Sequence, residues 1–162
     1  MIAPRTYTVI LPVTASASAV DFFELITGAS GHLALLGLDI GQTTELGDAA
    51  DEQILWFIKR ATGSYTSGSG GASATPAKLN PGDAAATFTA EVGNTTQLAV
   101  GSGVLTTLHS GTFNIRSGLQ LFWTPETAPR ISASSALVVG LGEAPDDSVS
   151  WYGTAYVAEY AP

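Results

Sequence analysis

Cysteine is absent from this chain of 162 residues. Without a thiol there is no disulfide framework, no thiolate nucleophile and no Cys-based zinc site. Charge is scarce too. Asp, Glu, Lys and Arg make up 12% of the residues, about half the usual share. The basic residues Arg5, Lys59, Arg60, Lys78, Arg116 and Arg130 form no linear patch. A net charge of −8 argues against binding a phosphate backbone, which depends on Lys/Arg displacing counterions. No nucleic-acid partner is expected. The opening MIAPRTYTVILPV has no long apolar core, and Pro12 interrupts it. It is expected to be neither a signal peptide nor a membrane span, so no membrane partner is expected.

Catalytic residue types are thin. His32 and His109 are the only histidines, and no G-x-S-x-G elbow accompanies them. They read as strand-end or interface residues. SGSGG lacks the lysine and the strand-to-helix setting of a phosphate loop. Asp39, Glu45, Asp48, Asp51 and Glu52 are dense, but their spacing does not match a calcium loop. A solvated loop, or one facing basic residues on a neighbour, accounts for them. Asp146 and Asp147 sit in a Pro-containing turn, which explains them without a glycosidase role. The expectation is no enzyme, no catalytic residue, no metal and no cofactor.

What the chain does hold is small and apolar. Apolar residues reach 45%, with Ala, Gly, Ser and Thr filling most of the rest. The length suits a single domain, residues 1–162, able to bury roughly 70% of its unfolded surface without staples. A surface so poor in charge suggests cover by other subunits.

Strand patterns run throughout. Residues 1–14 read as an N-terminal arm or an edge strand, with Arg5–Thr14 as the strand and Pro12, which cannot donate to a ladder, placing it at an edge. Val20–Thr27 fits a short helix as well as a strand, and the Gly28–Gly31 turn favours the strand. In His32–Gln42, Leu36, Leu38 and Ile40 alternate with Gly37, Asp39 and Gly41. Ile54–Ile58 is the densest apolar run and is expected to be a central strand buried on both faces. Residues 63–81 form a long Gly/Ser/Pro-rich loop, expected to be mobile or to cross between the halves of a sandwich. Ala84–Ala90 reads as a weak strand around Phe88. Ser110-Gly111 reads as a tight turn between VLTTLH and TFNIR, and Leu119–Trp123 as a further strand. In Val149–Tyr160, Trp151 and Val157 share one face while Tyr152, Tyr156 and Tyr160 share the other, a surface for packing on something. Trp56 and Trp151 are expected in core strands, and Trp123, beside a loop, is expected to be the exposed aromatic. About eight to ten short strands with frequent turns and no long helix give an all-β, jelly-roll-like β-sandwich.

From Gly41 to Tyr160 the chain resembles small virion structural proteins of tailed bacteriophages. The shared features are GQ before the acid-led apolar strand ILWFIKR, a Gly/Ser/Thr/Pro loop, FNIR, a Pro-Glu loop, and the closing APDDSV…GT…E. These are turn and strand motifs, so no family site residue carries over. The resemblance implies a capsid decoration or stabilising protein on the phage head surface, made in the bacterial host cytoplasm. Its partner would be the major capsid protein or another virion protein. Fold analogy adds a homotrimer. A receptor- or glycan-binding module of a head or tail fibre is the alternative. The residues expected to make subunit or capsid contacts are Arg5, Tyr7, Glu45, Asp48, Asp51, Tyr65, Trp123, Tyr152, Tyr156 and Tyr160.

Overall fold

A computed structural model describes residues 4–44 and 52–160. Glu45, Asp48 and Asp51 lie outside the described residues. The chain is all-β, built on two main sheets packed as a sandwich. Nine strands have four residues or more: β1 (Arg5–Ser16), β2 (Asp21–Ile26), β3 (His32–Gln42), β4 (Gln53–Thr62), β8 (Thr89–Asn94), β10 (Val104–Asn114), β11 (Leu119–Phe122), β13 (Ser135–Leu141) and β14 (Val149–Tyr160). Five shorter ones complete the set: β5 (Tyr65–Thr66), β6 (Ala72–Ala74), β7 (Ala77–Lys78), β9 (Ala99–Val100) and β12 (Arg130–Ile131).

Sheet A runs β11-β3-β14-β1-β7, with β12 also on β3. Sheet B runs β10-β4-β13-β2-β8-β6. The main pairings are antiparallel and nested: β1 with β14, β2 with β13, β3 with β11 and β12, and β4 with β10. The core lies between the sheets. On β14 the pleat sends Val149, Trp151, Ala155 and Val157 inward and leaves Tyr152 and Tyr156 outside. Trp151 packs edge-on between Phe22 and Phe113, with ring centroids at 5.2 and 6.2 Å.

Several expectations need correction. β4 is interior to its sheet, but only Ile54, Trp56 and Ile58 fill the main core. Leu55 is 40% exposed, and Phe57 belongs to a second apolar cluster, with Lys59 over its ring. The run is therefore not buried along both faces. Ser110-Gly111 is no turn. β10 continues through it, because Gly111 lies opposite Trp56 and a Cβ there would come within 3.1 Å of the indole nitrogen. His109 is accordingly mid-strand, not at a strand end. Ala84–Phe88 is not strand; β8 starts at Thr89. Residues 63–81 are not one open loop. They contain β5, β6 and β7, and the chain passes from sheet B at β6 to sheet A at β7 before returning at β8. β1 is no free arm, since it pairs with β14 along its length. Pro12 falls where that register shifts, between Leu11 and Thr14.

The β5–β9 pair and Leu98 cover part of the outer face of sheet B. Tyr65, Leu98 and Val100 pack on Phe57, Ala61, Ala136 and Val138. Two buried carboxylates from β2 hold this cover. Glu24, fully buried, accepts hydrogen bonds from the Ser67 hydroxyl at 2.6 Å, the Gly68 N–H at 2.9 Å and the Asn94 amide at 3.1 Å. Asp21 accepts from the Leu98 N–H at 2.8 Å and the Gln97 amide at 3.0 Å. The register of β2 against β13 shifts between Phe23 and Asp21. That shift lets two acids three positions apart serve the same face.

Burial pushes the Asp21 carboxyl up to about 7, and nearby Glu24 adds to the rise. The Leu98 N–H, Gln97 and Lys59 act the other way. The folded state therefore holds a proton that the unfolded chain, at 3.8, has released. This contribution to stability is complete below the unfolded value and is lost as pH rises through about 7, at up to about 1.4 kcal/mol per pH unit. Asp21→Asn should flatten the difference: urea midpoints of wild type minus variant, measured from pH 4 to 8, should fall with rising pH. A difference constant over that range would contradict the assignment.

Candidate functional site

Among the described residues, nothing covers the outer face of sheet A around Phe122, Ile10 and Tyr152. The pairings lay it out as a grid. Phe122 of β11 and Tyr156 of β14 flank Gly37 of β3, one on each side. The next row is Gln120, Asp39, Thr154 and Ile10, crossing β11, β3, β14 and β1. Tyr152 then lies beside Gly41. The two glycines form the floor. A Cβ on Gly37 would sit 2.5 Å from the Phe122 ring, and one on Gly41 would sit 2.5 Å from the Tyr152 hydroxyl. Without those atoms the rings fold flat over β3. Phe122 and Tyr156 meet across Gly37 at 5.7 Å between centroids, tilted by 43°.

The platform remains open. Phe122 is 64% exposed, Ile10 49% and Tyr152 43%. Asp39 is the one charged side chain in the grid. Exposed rings and Ile10 alternate here with the polar Gln120, Asp39 and Thr154, and Arg116 adjoins them, a mixed surface with the chemistry to pack on a protein or a sugar ring. At the other end of the same face the Thr124–Pro129 loop folds over Ala34 and Ala158, and Trp123 and Tyr160 pack against that small cluster.

The residues expected to make contacts therefore separate. Tyr152 and Tyr156 come together on the platform. Tyr160 shares their face but lies under the Arg130 guanidinium, 5.7 Å from its ring. Trp123 is half-buried and stacks on His109 at 5.6 Å, so its neighbour Phe122 is the exposed ring instead. Tyr65 is half-buried in the cover of sheet B, where burial and then Glu24 raise its hydroxyl pKa.

Tyr7 is a core residue. It points into the core, edge-on to Phe88 at 5.7 Å, with no exposed surface. Its hydroxyl reaches the Ala84 carbonyl at 3.0 Å and Glu159 at 3.3 Å. Burial raises its pKa, and the Glu159 charge raises it further. Arg5 is engaged as well, its guanidinium 2.8 Å from the buried Glu159 carboxylate. Glu159 also accepts from the Thr87 N–H at 2.9 Å and from the Thr87 hydroxyl. This cluster fastens residues 84–87 to the start of β1 and the end of β14. It is a structural staple.

Sequence patterning missed Phe122 and Ile10. Their signal was available only through pairing: an aromatic residue opposite a glycine on the next strand. Among the described residues no three His, Asp or Glu side chains gather as a metal site. No helix of the described chain is long and apolar enough to cross a membrane. Comparison with protein-family models, curated proteins and solved structures finds no match to this chain.

Gly37→Ala tests the platform floor. The clash falls on an exposed ring that can swing outward, so the stability change should stay within about 1 kcal/mol. The Phe122–Tyr156 ring contact should be lost. Thermal denaturation reads the first and ring-to-ring NMR cross-peaks read the second.

Proposed function

We propose that the chain is a structural protein of a tailed-bacteriophage virion that decorates or cements the head shell. In this reading it does no chemistry. It lays the open face of sheet A on the major capsid protein or a neighbouring virion protein, and it works as a homo-oligomer, with a trimer favoured by fold analogy. The observation that carries the reading is the glycine-floored platform of Phe122, Tyr156, Tyr152 and Ile10, an exposed apolar surface on a chain with little charge. The resemblance of Gly41–Tyr160 to small virion proteins supports it. So does the nested pairing of β1–β14, β2–β13, β3–β11/β12 and β4–β10, which we read as a jelly roll wrapped from one long hairpin.

One feature favours a second reading, a glycan-binding module. Phe122 and Tyr152 lie flat on either side of Gln120 and Asp39, so apolar ring faces stand beside hydrogen-bonding groups. Glycan-array binding abolished by Tyr152→Ala would support that alternative.

The direct test is co-sedimentation with purified heads stripped of the protein. Wild type should bind in fixed stoichiometry and raise the temperature at which the heads open. Phe122→Asp combined with Tyr156→Asp should bind at least tenfold more weakly, with a melting temperature near that of wild type because both side chains face outward. Heads that take up no wild-type protein would overturn the reading.

A further inference from the structure

The strand that ends sheet B is open. β10 is 11 residues long and pairs with β4 alone. Val104–Asn114 contains no Lys, Arg, Asp, Glu or Pro, the residues with which proteins blunt an exposed edge. Among the described residues, no hydrogen bond reaches the Val104–Phe113 backbone from outside β4. This edge therefore presents a row of unpaired N–H and C=O groups.

Beside it lies a hollow of about 630 Å³. Leu108 and His109 of β10 form one wall, and the 125–130 stretch leading into β12 forms the other. Arg60 lies behind them. It continues the inward-facing row Ile54, Trp56 and Ile58 of β4. It is half-buried, and among the described residues it has no hydrogen-bond or ion-pair partner. Arg130 lines the same hollow, fixed by a 2.6 Å hydrogen bond to the Pro125 carbonyl. An adjoining hollow of about 440 Å³ shares both arginines and adds His32. The one acidic side chain on either lining, Glu126, is exposed and turned to its own N–H and the Thr124 hydroxyl. In a chain of net charge −8, this is a local cationic opening.

The two features share one geometry. A strand added to β10 would send alternate side chains, on either side of the register shift between Thr107 and His109, toward the hollow that Arg60 and Arg130 line. A half-desolvated guanidinium with no counter-charge favours a carboxylate there. We propose that the β10 edge accepts an extended acidic segment of a partner protein. The segment adds to sheet B as a seventh strand and turns alternate carboxylates toward Arg60 and Arg130. Backbone bonds supply the docking, and the arginines select the acidic residues. This goes beyond the virion reading and does not use the sheet A platform.

The test titrates the full chain with a capped seven-residue peptide of alternating valine and glutamate. Three probes accompany it: its lysine counterpart, a version N-methylated at alternate residues, and glutarate. The expected result is saturable binding of the Glu/Val peptide, with slowed amide exchange across Val104–Phe113. The lysine and N-methylated peptides should bind at least tenfold more weakly. Arg60→Gln and Arg130→Gln, checked for folding by circular dichroism, should each weaken binding at least tenfold. No binding of the Glu/Val peptide would overturn the proposal. Equal binding of the N-methylated peptide would remove strand addition and overturn it as well. So would glutarate competing at the peptide's own concentration, which would leave only a small-anion site. The Phe122→Asp, Tyr156→Asp variant should bind the peptide as wild type does, so a failure here is separable from a failure of the head-binding reading.

Discussion

The register of β14 is the constraint on which most of the molecule rests. This strand lies inside sheet A between β1 and β3, so its pleat is read by both neighbours. Its inward residues seat Trp151 and Val157 in the core and place Glu159 where Arg5, Tyr7 and Thr87 converge. Its outward residues supply Tyr152 and Tyr156. A slip of one residue would bury the tyrosines and expose the tryptophan. It would also strand the Glu159 carboxylate away from its donors, and breaking such a buried ionic group costs roughly 3–5 kcal/mol. Core and platform are thus two faces of one decision.

A second layer of specification comes from acids inside an apolar strand. Asp21 and Glu24 are buried, yet their oxygens are met by N–H, amide and hydroxyl donors from residues 67–98. Buried carboxylates are costly unless satisfied, so the covering segment has few alternative placements. Burial, with a smaller contribution from Glu24, pushes the Asp21 carboxyl up to about 7.

Much of the framework could be read from the residues. His32–Gln42 and Val149–Tyr160 alternate so strongly that their strands and faces followed directly. The outward tyrosines of β14 followed with them. Other features needed the third dimension. Gly111 looked like a turn because the reason for a glycine there, the indole of Trp56 on the neighbouring strand, is invisible in linear order. VDFFELIT showed its acids, but not that a register shift puts both on one face. The Gly/Ser-rich 63–81 stretch showed flexible composition, while its pairing with β1 and β8 depends on partners far away in sequence. At the candidate site, Gly37 and Phe122 are separated by most of the chain. Their juxtaposition is a product of pairing, and Tyr7 was misplaced because alternation alone does not say which face is the core.

The passage from β6 to β7 has a consequence for how copies of this chain can associate. These three- and two-residue strands close one flank of the sandwich like a clasp, with Thr75 and Pro76 bridging from sheet B to sheet A. The strand addition proposed for β10 lies at the opposite flank of sheet B, while the clasped side ends on β6, only three residues long. This asymmetry confines the long open edge of sheet B to one flank, in a protein poor in the charges that usually prevent runaway pairing.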